Sequence, residues 1–209
     1  LVVDAVQAAG RIPVDISDYY GDFLILSSHK IGGPKGVGAF VGVSDLMMPV
    51  PLVTGGGQEK GFRAGTENVP GIAGFGAAAR QAVAGLGEAG RVRALRDAFE
   101  ATVLELAPDA TIYGRAAERL CNTLFFSVPG LKAETAQIAF DLAGVSLSAG
   151  SACSSGKVGP SHVLKAMGFG DGAGALRVSV GRDTGEGELA SFRAALASHL
   201  ARRGSSAAA

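Results

Sequence analysis

The sequence predicts an α/β fold, and three observations carry that expectation. Residues 23–27, F-L-I-L-S, form a short apolar run without helical spacing, as a buried strand does. Residues 88–107 place Val92, Leu95, Phe99, Val103 and Leu106 three and four positions apart, the spacing of one helix face. Residues 175–180 alternate, with Arg177 on one side and Leu176, Val178 and Val180 on the other, the period of a half-buried strand.

The other elements follow in chain order. Val2 and Val3 lead straight into Asp4, as if the chain began inside a strand. After the strand at 23–27 the chain turns through Ser28, His29 and Lys30 into a loop with four glycines and Pro34. Residues 37–43 read as another strand. Residues 69–86 read as an alanine-rich helix opened by Pro70 and punctuated by Gly85 and Gly87, where a domain boundary is expected. Pro108 ends the helix over 88–107. Residues 111–113, 123–128 and 145–147 read as strands, 133–142 and 160–167 as helices, and 186–203 as the closing amphipathic helix. The tail, 204–209, reads as disordered. The expected domains are therefore 1–86 and 87–209.

Composition narrows the functional classes. The 209 residues suffice for a substantial core, and 19 basic residues balance 19 acidic ones. That balance offers no electrostatic argument for nucleic acid or an anionic membrane. No apolar run approaches the roughly 20 residues needed to span a bilayer, and no basic leader opens the chain. Two cysteines in such a composition read as thiols of a cytoplasmic protein. No metal is expected. The 32 glycines cluster in loops, which suggests backbone brought close to ligands.

Several residues stand out chemically. Lys30 follows a buried strand, behind two hydroxyls and a histidine. A partly desolvated lysine can act as a nucleophilic amine and form a Schiff base with an aldehyde cofactor, although a lone Ser-x-Lys also describes a surface turn. Asp4 ends a strand at the edge where open α/β sheets bind ligands, or it caps a turn. Residues 55–68 form a long polar, glycine-rich loop with one arginine and one threonine, Thr66. Such loops suit a phosphate, yet this one is neither a Walker A sequence nor a dinucleotide fingerprint. Residues 148–156 are nine small residues with no charge, and Cys153 is their only reactive side chain. Cys121 lies beside an apolar strand and reads as a small buried hydrophobe. Cys153 has no such neighbours and is a candidate nucleophile. His162 reads as a surface histidine. Arg177 is either a surface charge or a bidentate clamp for a substrate carboxylate.

Five motifs in order, V-D-A-V-Q (3–7), S-S-H-K (27–30), G-G-G-Q-E-K-G-F-R-A-G-T (55–66), S-A-G-S-A-C-S-S (148–155) and A-L-R-V-S-V-G-R (175–182), resemble the cysteine desulfurase family. These are class V aminotransferase-like pyridoxal-phosphate enzymes of the aspartate aminotransferase fold, fold type I. The cysteine context resembles the iron–sulfur-assembly subgroup, and the match is to the carboxyl-terminal portion of the family. The resemblance implies part of the large, mainly parallel sheet domain over 1–86, its N-terminal part absent, and a smaller α+β domain over 87–209.

The same resemblance implies roles. Lys30 holds pyridoxal 5′-phosphate covalently and moves the proton at the substrate Cα. Asp4 pairs with the ring nitrogen and Gln7 with the phenolic oxygen. Ser27 and His29 hold the phosphate, Thr66 reaches the phosphate of the neighbouring subunit in a homodimer, and Arg177 grips the carboxylate of L-cysteine. Cys153 takes the sulfur as a persulfide, leaving L-alanine, and passes it to an acceptor such as an iron–sulfur scaffold. Two alternatives stay open: a related pyridoxal-phosphate lyase or aminotransferase, and an inactive truncated homologue acting only as an interaction module.

Overall fold

The computed structural model describes residues 1–19, 21–150, 161–169 and 175–206. The chain divides into two compact units, Leu1–Ala89 and Gly90–Ala209.

In the first unit, strand β1 (Val2–Asp4) runs parallel to β2 (Phe23–Ser27), with Val2 opposite Phe23 and Asp4 opposite Ile25. Strand β3 (Gly38–Gly42) pairs antiparallel on the other side of β2, giving the order β1-β2-β3. The apolar run thus becomes the central strand, with Leu24 buried and Phe23 stacked on Phe40 at 4.7 Å between ring centroids. Helix α1 (Val69–Ala84) has Pro70 in its first turn, as the sequence suggests, and the Asn68 side chain caps it by accepting from the Gly71 N–H at 3.2 Å. A short 3₁₀ turn, Gly85–Glu88, carries the chain onward.

Helix α1 presents small residues, Gly71, Gly74, Ala78 and Ala82, at three- and four-residue spacing. A Cβ on Gly71 would lie 2.5 Å from Val37 Cγ2, and one on Gly74 would lie 2.6 Å from Pro34 Cγ. The absence of these side chains lets the glycine-rich loop after Lys30 lie directly on the helix.

In the second unit, β4 (Thr111–Ile112), β5 (Thr123–Ser127), β6 (Ser148–Ala149) and β7 (Ala175–Ser179) form one antiparallel sheet in the order β4-β5-β7-β6. The helices are α2 (Ala89–Leu106), α3 (Ala133–Leu142), α4 (His162–Ala166) and α5 (Glu186–Ser206). Phe192 of α5 is the hub of the core: its ring stacks on Phe140 at 5.4 Å and meets Phe99 and Phe126 edge-on at 5.1 and 6.4 Å. Buried Glu100 of α2 is neutralised by Arg119 at 2.8 Å and Arg115 at 3.0 Å, as a carboxylate withdrawn from water requires. Glu188 accepts from the Gly185 N–H at 2.8 Å at the start of α5, and that bond holds its carboxyl below the usual range.

Three expectations are corrected. The short strand expected over 145–147 lies instead at Ser148–Ala149. The Val145 N–H closes α3 by bonding the Phe140 carbonyl at 2.9 Å, with Gly144 left-handed at φ 76°, so pairing with β7 begins only at Ser148. Helix α4 starts at His162, because the Ser161 hydroxyl caps it by accepting from the Leu164 N–H at 3.3 Å; Pro160 lies outside the described residues. Helix α5 continues to Ser206, into the stretch expected to be disordered. A single Gly204 costs a helix only about 1 kcal/mol and does not end it. Among the described residues no helix is long and apolar enough to cross a membrane.

Candidate active site

The expected site residues of the first unit gather where β1 and β2 end. Both strands run in the same direction and finish at the same edge, Asp4 being in register two residues before Ser27. Asp4 is exposed, and its Oδ1 accepts from the Val6 N–H at 3.0 Å, so the carboxylate also serves the turn. Behind it, Ala8 and Ala9 bond back to the Ala5 carbonyl in a tight turn that carries Gln7, which is exposed.

Strand β2 runs directly into a 3₁₀ turn, Ser28–Ile31, closed by Gly32 at φ 89°. The strand end and the turn together carry three of the expected site residues, Ser27, His29 and Lys30. Ser27 Oγ and His29 Nδ1 share a hydrogen bond of 2.9 Å, which fixes the imidazole against the strand end. Lys30 is half-buried, unlike the exposed His29 beside it. Ser28 points the other way and is fully buried, its hydroxyl without a hydrogen-bond partner among the described residues. The N–H groups of Gly32 and Gly33 both go to the Ser28 carbonyl, which locks the turn.

Thr66 is exposed in the loop preceding α1, where Arg63 donates to the Gly65 carbonyl at 2.7 Å and to the Thr66 carbonyl at 3.3 Å. Within that loop Glu59 and Lys60 both take left-handed backbone angles, φ 48° and 56°, conformations that cost non-glycine residues energy.

Arg177 belongs to the second unit. It lies on β7, opposite Phe125 of β5 and Ser148 of β6, and donates to Ser148 Oγ at 3.2 Å. Its Nε is buried with no partner among the described residues. Cys153 lies outside the described residues. Cys121 is buried at 3% exposure in the core beside β5, the place read for it from sequence. His162 is exposed at the start of α4.

Two residues at this edge escaped the sequence reading. Ser28 carries no distinguishing pattern. Arg11 does: it is the only charged residue between Asp4 and Asp15. Its guanidinium donates to the carbonyls of Gln7, Ala9 and Lys30 at 3.0, 3.4 and 3.3 Å.

Comparison with known proteins bears on this arrangement. The aminotransferase class-V family model matches residues 1–192. A cysteine desulfurase of Cereibacter sphaeroides is 42% identical over 188 residues, which are 89% of this chain and 48% of the relative. A cysteine desulfurase of Gluconacetobacter diazotrophicus is 42% identical over 189 residues, 89% of this chain and 47% of the relative. Among solved structures, a NifS-like protein from Rickettsia africae superposes with a TM-score of 0.82 at 34% identity, over 93% of this chain and 51% of that one. The chain spans about half the length of the curated relatives it matches.

Proposed function

This chain belongs to the aminotransferase class-V family, and we propose that it works in a pyridoxal-phosphate-dependent cysteine desulfurase. The observation that supports this most is the 42% identity to cysteine desulfurases over nearly nine-tenths of the chain. The donor set fits the cofactor. A half-buried amine, an imidazole and a hydroxyl follow one another at the end of β2, and a carboxylate ends the parallel neighbour.

In this reading Lys30 anchors pyridoxal phosphate and moves the proton at the substrate Cα. Ser27 and His29 hold the phosphate, Gln7 the phenolic oxygen, and the Asp4 carboxylate keeps the ring nitrogen protonated. Bound pyridoxal phosphate supplies an electron sink that weakens the Cβ–S bond of L-cysteine. Arg177 orients the substrate by its carboxylate. The Cys153 thiolate forms a bond to the substrate sulfur as the Cβ–S bond breaks. Cβ takes up a proton, L-alanine leaves, and the sulfur remains on Cys153 as a persulfide. No co-reactant is needed, because L-cysteine and a thiol give L-alanine and a persulfide. The enzyme is a homodimer to which Thr66 contributes across the interface. It hands sulfur to an acceptor protein such as an iron–sulfur scaffold, in a cytoplasm that keeps thiols reduced.

The test is L-alanine release by the full-length protein supplied with pyridoxal phosphate and L-cysteine. The wild type is expected to turn over, and Lys30→Ala and Cys153→Ser to stop. Undiminished release by Cys153→Ser would instead favour a lyase or aminotransferase without a thiol step.

A further inference from the structure

We propose that Arg11 is a positioning residue for Lys30, a strap that ties the lysine's backbone to the turn carrying Gln7. The inference rests on the reading of Lys30 and Gln7 as cofactor ligands. The geometry supplies the strap. Arg11 Nη1 donates to the Gln7 carbonyl at 3.0 Å and the Ala9 carbonyl at 3.4 Å, while Nη2 donates to the Lys30 carbonyl at 3.3 Å. One planar fork therefore ties the Gln7 turn to Lys30, which lies 19 residues beyond Arg11 in the chain.

The Lys30 carbonyl has reason to need an outside donor. It lies near the end of a single 3₁₀ turn, where carbonyls lack partners from the turn itself. The nearby N–H groups of Gly32 and Gly33 are both spent on the Ser28 carbonyl. A basic side chain is a usual partner at such an end. The neighbouring segments already touch: a Cβ on Gly10 would lie 3.5 Å from Ile31 Cγ2 and 2.9 Å from Ala82 Cβ. Arg11 thus completes a corner in which α1, the Gln7 turn and the Lys30 turn meet. Lysine could not replace it fully, because a single ammonium lacks the rigid fork that addresses both segments.

The consequence is that Arg11 sets where the Lys30 amine and the Gln7 side chain stand relative to one cofactor, without touching that cofactor. The experiment titrates the full-length apoprotein with pyridoxal phosphate, in wild type, Arg11→Ala and Arg11→Lys. Melting temperature of each apoprotein is recorded, and the adduct is fixed with borohydride and mapped by mass spectrometry. The wild type is expected to carry the adduct on Lys30. Arg11→Ala is expected to bind pyridoxal phosphate about tenfold more weakly, the factor that about 1.4 kcal/mol represents and within reach of one hydrogen bond from a charged donor. Arg11→Lys is expected to melt like the wild type yet to recover only part of the affinity. Unchanged affinity in Arg11→Ala, or full recovery in Arg11→Lys, would overturn the strap while leaving the Lys30 reading intact. A wild-type adduct elsewhere than Lys30 would overturn that reading and the strap with it.

Discussion

At Gly33 there is no room for a side chain. A Cβ there would stand 2.2 Å from Ser28 Oγ, 3.0 Å from Ala78 Cβ and 3.2 Å from the Ser28 carbonyl oxygen. The Ser28 side chain is fully enclosed, so its hydroxyl cannot swing into solvent to make way. Overpacking of a well-filled site costs about 1–3 kcal/mol, and three simultaneous close contacts put Gly33→Ala near the upper end. Ser28→Ala removes the nearest of those contacts. It also removes a buried hydroxyl with no described partner, whose desolvation costs on the order of 1 kcal/mol, so alone it should be neutral or mildly stabilising. In the Ser28→Ala background, Gly33→Ala still meets Ala78 and the Ser28 carbonyl, and its cost should fall by about half. The expected coupling between the two positions is therefore roughly 1–1.5 kcal/mol. The assay is hydrogen exchange in the full-length protein, because the Gly33 amide donates to the Ser28 carbonyl at 2.9 Å and reports opening of the lysine turn directly. Costs of Gly33→Ala that agree within about 0.5 kcal/mol in the two backgrounds would refute this account of the turn.

Three further outcomes are expected. Gly71→Ala and Gly74→Ala should each destabilise by about 1–3 kcal/mol despite alanine's better helix propensity, because the new methyl groups strike Val37 and Pro34; thermal melts that rise would contradict the close packing of α1 on the glycine loop. Phe192→Ala should cost about 3–5 kcal/mol by emptying the hub shared with Phe99, Phe126 and Phe140, measured as a fall in the urea midpoint of the unit containing it. Arg193 lowers the Glu105 carboxyl below its ordinary value of 4.5, chiefly by hydrogen bonding and then by charge attraction. A pKa lower in the folded than in the unfolded chain makes the pair stabilising at neutral pH and lost as pH falls through the folded value. Arg193→Ala should therefore lower the melting temperature slightly near neutrality, with a difference from wild type that closes as the pH falls below the ordinary carboxyl value of 4.5.

Much of the fold was legible because local pattern and tertiary demand agree. The apolar run at Phe23–Ser27 and the helix at Ala133–Leu142 form with the bounds the sequence suggests, since each meets a turn signal at its end. The strand expected over 145–147 did not form there, because a helix-closing bond to Phe140 takes the backbone the strand would have used. Hydrophobic pattern cannot see such competition for one N–H. Burial of Cys121 was legible from its apolar neighbours, whereas the roles of Arg11 and Ser28 were not. Arg11 stands out in sequence only as the lone charge between Asp4 and Asp15, and because it binds carbonyls, which every residue offers, no partner motif points to what it holds. Ser28 is hidden by the alternation of a turn that exposes His29 and buries its neighbour. The chemistry assigned to Lys30 and Cys153 came from five motifs in order, a pattern that individual propensities do not contain.

The central claim, that sulfur leaves L-cysteine for Cys153, is tested most directly by peptide mass spectrometry of the full-length protein after incubation with pyridoxal phosphate and L-cysteine. The account predicts one added sulfur atom on the Cys153 peptide, removed by reductant and absent from Lys30→Ala. Added sulfur on the buried Cys121, or none on Cys153 while L-alanine accumulates, would contradict it.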